Sequence, residues 1–207
     1  MRINTLRLRA MLGWLGMLLP WIVAVLIGDF PDSISATWYT NASTVFMIIL
    51  GSASILLISY KGYERVDDII LTLSGIFGLG ICLFPCAVST APGKVGTFLI
   101  DSSTSNIIHI VSAIVFFALL AYNSFFLFTK SSGEITTKKK IRNIIYRICG
   151  VGMISSFGIM FFPYFPRQAW IAEALALFFF GISFLTKADI YPWLFCDTPY
   201  KEDEKDG

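Results

Sequence analysis

Histidine is nearly absent from this chain: His109 is the single one in 207 residues. One imidazole excludes bis-histidine haem ligation within a chain. Charge is also scarce, at 14% of residues, against 56% hydrophobic residues and a mean hydropathy of +0.71. Soluble domains carry roughly 25% charged residues, so this balance is that of a membrane protein. The four cysteines, Cys82, Cys86, Cys149 and Cys196, give no disulfide framework. Cys82, Cys86 and His109 make an incomplete zinc set, and no metal or other cofactor is expected. A Gly-x-Ser-x-Gly elbow, a phosphate-cradling loop and a paired-carboxylate motif are missing from suitable places.

What the chain has is long apolar runs. A helix crosses the hydrocarbon layer of about 30 Å with about 20 apolar residues. Six stretches qualify, roughly 11–28, 43–60, 69–86, 107–128, 144–163 and 168–186. The expected fold is therefore all-α: one polytopic six-helix transmembrane bundle over 1–190, followed by a cytoplasmic tail at 191–207. The basic, apolar start "MRINTLRLRAMLGWLGMLLP" has no small-residue cleavage site after it, so it reads as an uncleaved first helix.

The basic residues set the threading. Arg2, Arg7 and Arg9 precede the first span, and Lys61 and Arg65 separate the second from the third. Lys130, Lys138, Lys139, Lys140, Arg142 and Arg147 lie between the fourth and fifth, and Lys187, Lys201 and Lys205 follow the sixth. The other three connections hold only Lys94 and Arg167, so fourteen of the sixteen fall on one side. Both termini are expected in the cytoplasm of a bacterial inner membrane. The 138–142 cluster is a topology signal and a contact for anionic lipid, not a nucleic-acid site.

Two exits look alike, "GICLFP" after the third span and "GIMFFP" after the fifth. The second, fourth and sixth spans end "ISYKG", "LFTKS" and "FLTKA". A helix-pair repeat covering 43–86 and 107–163 would explain this, as would convergence on a lysine at each cytoplasmic end and a proline at each exit. Small residues mark packing faces: Ser74, Gly75, Gly78 and Gly80; Gly150, Gly152, Ser155 and Gly158; Ala169, Ala172 and Ala176.

Ser105, His109, Ser112, Phe116 and Asn123 step by four, three, four and seven residues and so share one helix face. Glu173 enters from the same outer side to a similar depth as His109. An ionisable group inside a span faces the bundle interior or water, which makes His109 and Glu173 the leading ligand-binding candidates. A hydrogen bond that only ties two helices is the bland alternative. Ser35 and Tyr39, on the outer loop 28–43, would lie above them.

These features resemble a family of bacterial six-helix membrane proteins grouped as domain of unknown function 998. The likeness is carried by "DSISATWYT" in the first outer loop, "GICLFP" leaving the third span, and "IIHIVSAIVFF" opening the fourth. A more distant similarity is to the Frag/DRAM/Sfk-like membrane proteins. Ser105-x-x-x-His109 also resembles one element of the intramembrane metal hydrolases that include alkaline ceramidases, but their His-x-x-x-His element has no counterpart here. The first resemblance implies membrane residence and six helices, without an activity.

The expected function is binding of a lipid or small amphiphile in a polar pocket open to the non-cytoplasmic side, lined by His109, Glu173, Ser105, Ser112, Ser35, Tyr39 and Asn123. The alternatives are an enzyme acting on a lipid headgroup, with His109 as general base, a small transporter built from repeated hairpins, and a packing-only accessory subunit. Membrane lipids are the expected partners. Homo-oligomers and membrane partners stay open, and nucleic acid is not expected.

Overall fold

A computed structural model describes residues 5–62, 64–91, 93–131, 136–162 and 166–190. It is helical throughout, apart from one two-stranded hairpin. The helices are α1 (Thr5–Ile27), α2 (Ser43–Ile58), α3 (Arg65–Leu83), α4 (Ser102–Tyr122), α5 (Thr137–Ser155) and α6 (Gln168–Lys187). Short connections make consecutive helices antiparallel neighbours. Each helix packs on the next, and α6 closes a ring by packing on α1.

Five helices are long and apolar enough to cross a membrane, and α2, with 16 residues, is a shorter apolar helix. Large apolar side chains line the outside of the ring, including Val25, Ile48, Ile55, Ile69, Ile76, Ile107, Ile114 and Ile148. Several recur at seven-residue steps, so each helix shows one apolar stripe outward as well as one inward. Such a surface fits hydrocarbon and not water. The inner stripes meet in a core containing Phe46, Leu57, Leu71, Phe116, Leu120, Met153 and Phe180.

Helices α2 and α6 begin where hydropathy indicates, and the other four begin earlier. Helix α3 starts at Arg65, where Glu64 and Asp67 form a reciprocal capping box, and α5 starts at Thr137, where the Thr136 hydroxyl accepts from Lys139 N at 3.2 Å. Caps decide these ends, and the polar first turns lie beyond the apolar run. Helix α4 finishes in a π-turn, Asn123–Leu127, and α5 in a 3-10 segment, Ser156–Phe161. The two similar exits therefore part company before their prolines: α3 stays α-helical to Leu83, while α5 tightens six residues before Phe162. Phe84 and Phe162 share extended backbone, φ/ψ −117°/94° and −109°/91°, as a residue before proline must. Pro163, Gly133 and the tail 191–207 lie outside the described residues.

Small residues hold the ring tight, since between helices in lipid, close backbone approach stands in for the hydrophobic effect. A Cβ on Gly75 would strike the Ser54 carbonyl of α2, and one on Gly80 would lie 2.6 Å from Ser112 Oγ of α4. Gly150 abuts Phe125 and Ala121 of α4, and Gly152 abuts Phe179 of α6. Ala172 and Ala176 are fully buried. The expectation fails at Ser155, which is exposed, and Gly158, which meets nothing within 4 Å. There the 3-10 segment has turned the chain away. Gly13, Gly16 and Gly181 make the α1–α6 seam, with Gly13 against Leu185 at 2.6 Å from its would-be Cβ.

Gly75→Ala is expected to cost about 1–3 kcal/mol, because backbone on α2 cannot yield as a side-chain tip can. Gly51→Ala, with nothing within 4 Å, should leave the melting temperature in detergent unchanged or raised. Equal melting curves for the two variants would show that α2 and α3 are not in close contact.

Candidate functional site

The basic residues at the helix termini define one end of the bundle, the basic end. The other, far end carries the connections 28–42 and 84–101 and the start of α6. Its geometry starts from α3. Pro85 has no N–H to continue the helix, so α3 stops at Leu83 with carbonyls that nothing in its own helix can satisfy. Other elements supply the donors. Trp38 Nε1 donates to Cys82 O at 3.3 Å, His109 Nδ1 lies 2.8 Å from Phe84 O, Ser105 Oγ donates to Pro85 O at 2.8 Å and Tyr39 Oη donates to Cys86 O at 2.8 Å. Since a carbonyl only accepts, the His109 tautomer that makes this bond carries its proton on Nδ1.

Ser105, His109, Ser112 and Phe116 are all buried on the α4 face toward α3, as their spacing implies. The hydroxyl of Ser112 packs against Gly80. The histidine is thus a carbonyl cap, and among the described residues it makes no hydrogen bond with Glu173.

Glu173 instead clasps the loop. Ser33 Oγ lies 2.9 Å from both carboxylate oxygens, Ile34 N donates to Oε2, and Ser35 N does so at 3.4 Å. Two further links fix the loop to the start of α6, Trp170 N to Asp32 O at 3.0 Å and Arg167 Nη2 to Asp29 Oδ2 at 2.8 Å. Trp21, Phe30 and Trp170 stack edge to face beside them. Under this clasp lies a cavity of about 50 Å³, walled by Phe46, Phe116, Phe117, Phe157 and Leu177, with Glu173 and Ser35 at its polar edge. That is room for one or two waters. The structure brings Glu173 and Ser35 together there, and sets Ser105, His109 and Tyr39 on the α3 exit.

Cys86 lies beyond the end of α3. Burial pushes its thiol up to about 11, and the Glu173 carboxylate adds to the effect; burial and Cys86 together raise the Tyr39 phenol. Among the described residues no group of three His, Cys, Asp or Glu side chains is placed to hold a metal.

The larger space is at the basic end. A cleft of about 510 Å³ is lined by Arg9, Lys130, Lys139, Arg142 and Lys187, and by Glu64, Asp67 and Asp189. Neutral acceptors take part in holding three of the cations. Arg9 Nε donates to Tyr60 Oη at 2.7 Å and Nη1 to Lys187 O at 3.3 Å. Lys139 Nζ reaches Phe128 O at 3.2 Å and Lys130 O at 3.0 Å, and Lys187 Nζ reaches Phe128 O at 3.3 Å. Both ammonium groups also lie over the Tyr146 ring, a favourable face for a cation. Ion pairs join Lys130 to Glu64 at 2.6 Å, an N–H···O bond that raises the lysine's pKa, and Arg142 to Asp189 at 3.0 Å.

Asn123 belongs to this end. It is fully buried, and among the described residues neither atom of its carboxamide has a partner. Sequence reasoning read the lysines as topology signals and did not gather them into a site. Arg9, buried inside an apolar helix, was the available clue.

Comparison with protein-family models, with curated proteins and with solved structures finds no match.

Two outcomes follow at the far end. His109→Ala should leave the Phe84 carbonyl unpaired and cost about 1–3 kcal/mol, lowering the melting temperature, with partial recovery in His109→Gln. An unchanged melting temperature in His109→Ala would mean the bond contributes nothing. For Cys86, the raised value favours the neutral thiol: that contribution is whole below pH 9 and is lost as pH rises through about 11. In a variant keeping only Cys86, iodoacetamide labelling at pH 8 should therefore be far slower than in the unfolded chain, where the thiolate population is about a hundredfold higher. Equal labelling rates would place the thiol in water.

Proposed function

We propose that this chain is a multi-pass protein of the bacterial inner membrane that binds an amphiphile with an anionic headgroup. The headgroup sits in the cleft at the basic end, and that end faces the cytoplasm. The observation that carries this reading is the cleft itself: about 510 Å³, with five cationic side chains against three carboxylates in its lining. Its volume is within the range of small-molecule sites, while the far-end cavity of about 50 Å³ holds no headgroup. Guanidinium and ammonium groups together are the usual means of gripping a phosphate or carboxylate.

An amphiphile is favoured over a wholly soluble anion because the flanks of the cleft are apolar. Val66, Ile69, Phe126, Ile141 and Ile144 are exposed on the helices that frame it, and acyl chains would lie along them. The side of the membrane follows from the distribution of basic residues. The resemblance to the six-helix bacterial family supports membrane residence alone.

The test is a thermal-shift titration of the protein in a neutral detergent with short-chain phosphatidylglycerol or phosphatidylcholine. A ligand that binds the native state raises the melting temperature with concentration. Phosphatidylglycerol should do so, phosphatidylcholine should not, and added salt should weaken the shift. The double variant Lys139→Gln, Arg142→Gln should lose most of it. Equal shifts from both lipids, or a full shift in the double variant, would remove the cleft from consideration.

A further inference from the structure

Helix α4 does not end as an α-helix. From Asn123 to Leu127 it widens into a π-turn, in which Phe128 N donates to Asn123 O at 2.9 Å, five residues back. Single π-turns inside α-helices recur at functional positions. Here the turn leaves the Asn123 side chain wholly inside the bundle, 0% exposed, with Oδ1 and Nδ2 both unpartnered among the described residues. A buried carboxamide with neither atom paired is costly. Its neighbour is a chamber of about 10 Å³, lined also by Tyr60, Asp67, Leu127, Phe128 and Lys187. Three of these, Asp67, Leu127 and Lys187, line the large cleft as well. The chamber is therefore an inner recess of the cleft, with Lys187 and Asp67 at the boundary.

We infer that the anion bound in the cleft is a phosphate ester carrying a free hydroxyl, and that Asn123 reads that hydroxyl in the recess. The inference rests on the proposed binding reading and narrows it. A space of about 10 Å³ takes one water-sized group. A carboxamide both donates and accepts, so the best complement is a group that also does both. A hydroxyl qualifies. An ammonium only donates and would approach Lys187; an ionised oxygen only accepts and would approach Asp67. The phosphate belongs outside the recess, near Lys139, Arg142 and Lys187, where the cations converge. A glycerol-type headgroup has this order of parts, a phosphate followed within a few bonds by a hydroxyl.

The experiment compares phosphatidylglycerol with phosphatidylpropanol of the same acyl chains, which has the same charge and length but no headgroup hydroxyl. Native mass spectrometry of the full-length protein in neutral detergent gives both affinities, with phosphatidylcholine as the reference. The expected result is about a tenfold preference for phosphatidylglycerol, the worth of one good hydrogen bond in a buried site. In Asn123→Leu, similar in volume but without polar atoms, the preference of phosphatidylglycerol over phosphatidylpropanol should vanish.

Equal binding of the two lipids by the wild-type protein overturns the inference and leaves anionic binding standing; the recess then holds a structural water only. The wild-type comparison decides the matter even where the variant does not fold. A preference that survives in Asn123→Leu also overturns it. If neither lipid binds better than phosphatidylcholine, the cleft reading fails and takes this inference with it. Soluble glycerol phosphate, added as a competitor, separates the sources. Displacement at concentrations matching the lipid's assigns the hydroxyl ester to a free metabolite, and resistance to displacement assigns it to a lipid; each upholds the shared chemistry.

Discussion

Backbone carbonyls left open where a helix stops set the design of the far end. Helix α3 stops before Pro85, and its exit presents oxygens at Cys82, Phe84, Pro85 and Cys86 that must be paired within the protein. The donors are Trp38, His109, Ser105 and Tyr39. Two come from α4 and two from the loop between α1 and α2. That loop can serve only if it is itself fixed, and Glu173 of α6 fixes it through Ser33, Ile34 and Ser35. One proline thus couples α3, α4, the loop and α6 into a single closed cap. The polar residues of the spans at this end are explained by backbone need before any ligand is invoked.

Closure of the ring imposes a second requirement. For helices with an apolar outer surface such as these, as in lipid, little is gained by burying apolar surface against each other, and contact depends on how near their backbones come. Glycines occupy the seams α1–α6, α2–α3, α3–α4 and α5 with both its neighbours. Where the regular helix does not suit the packing, its last turn changes form. Helix α4 widens at Asn123 and α5 tightens at Ser156. The first change brings a carboxamide inside, and the second carries Gly158 out of contact.

Much of this was legible in the sequence, and the gaps have physical causes. The six helices, the α4 face bearing Ser105, His109 and Ser112, and the glycine seam of α3 follow from apolar runs and helical spacing. The starts of α3 and α5 differ from expectation because hydropathy sees the hydrocarbon portion only, whereas capping by Glu64 and Thr136 extends these helices into polar sequence. Depth paired Glu173 with His109, whereas Glu173 bonds to Ser33, Ile34 and Ser35 of the loop. The partner of His109 was not readable, because it is a backbone oxygen, and any residue type carries one. The cleft was hidden for a different reason: lysines at helix ends are expected from topology whether or not they meet. They meet because α6 closes on α1, bringing Arg9 to the Lys187 carbonyl across 178 residues of sequence.

The two ends obey the same rule and reach different outcomes. At the far end, hydroxyls, an imidazole and one carboxylate pair with backbone groups, and the cavity left over is about 50 Å³. At the basic end, carbonyls and aromatic faces receive Lys139 and Lys187. A carbonyl satisfies the directional demand of an ammonium but carries only a partial charge, so hydrogen bonds are met while net charge remains. Within a low-dielectric wall such residual charge acts over several ångströms. All three lining carboxylates are engaged, Glu64 with Lys130, Asp189 with Arg142 and Asp67 with the Glu64 backbone in the capping box. An anion entering the cleft would therefore find donors already oriented and a positive potential already in place. On the proposed reading it need not break the hydrogen bonds that hold the cations.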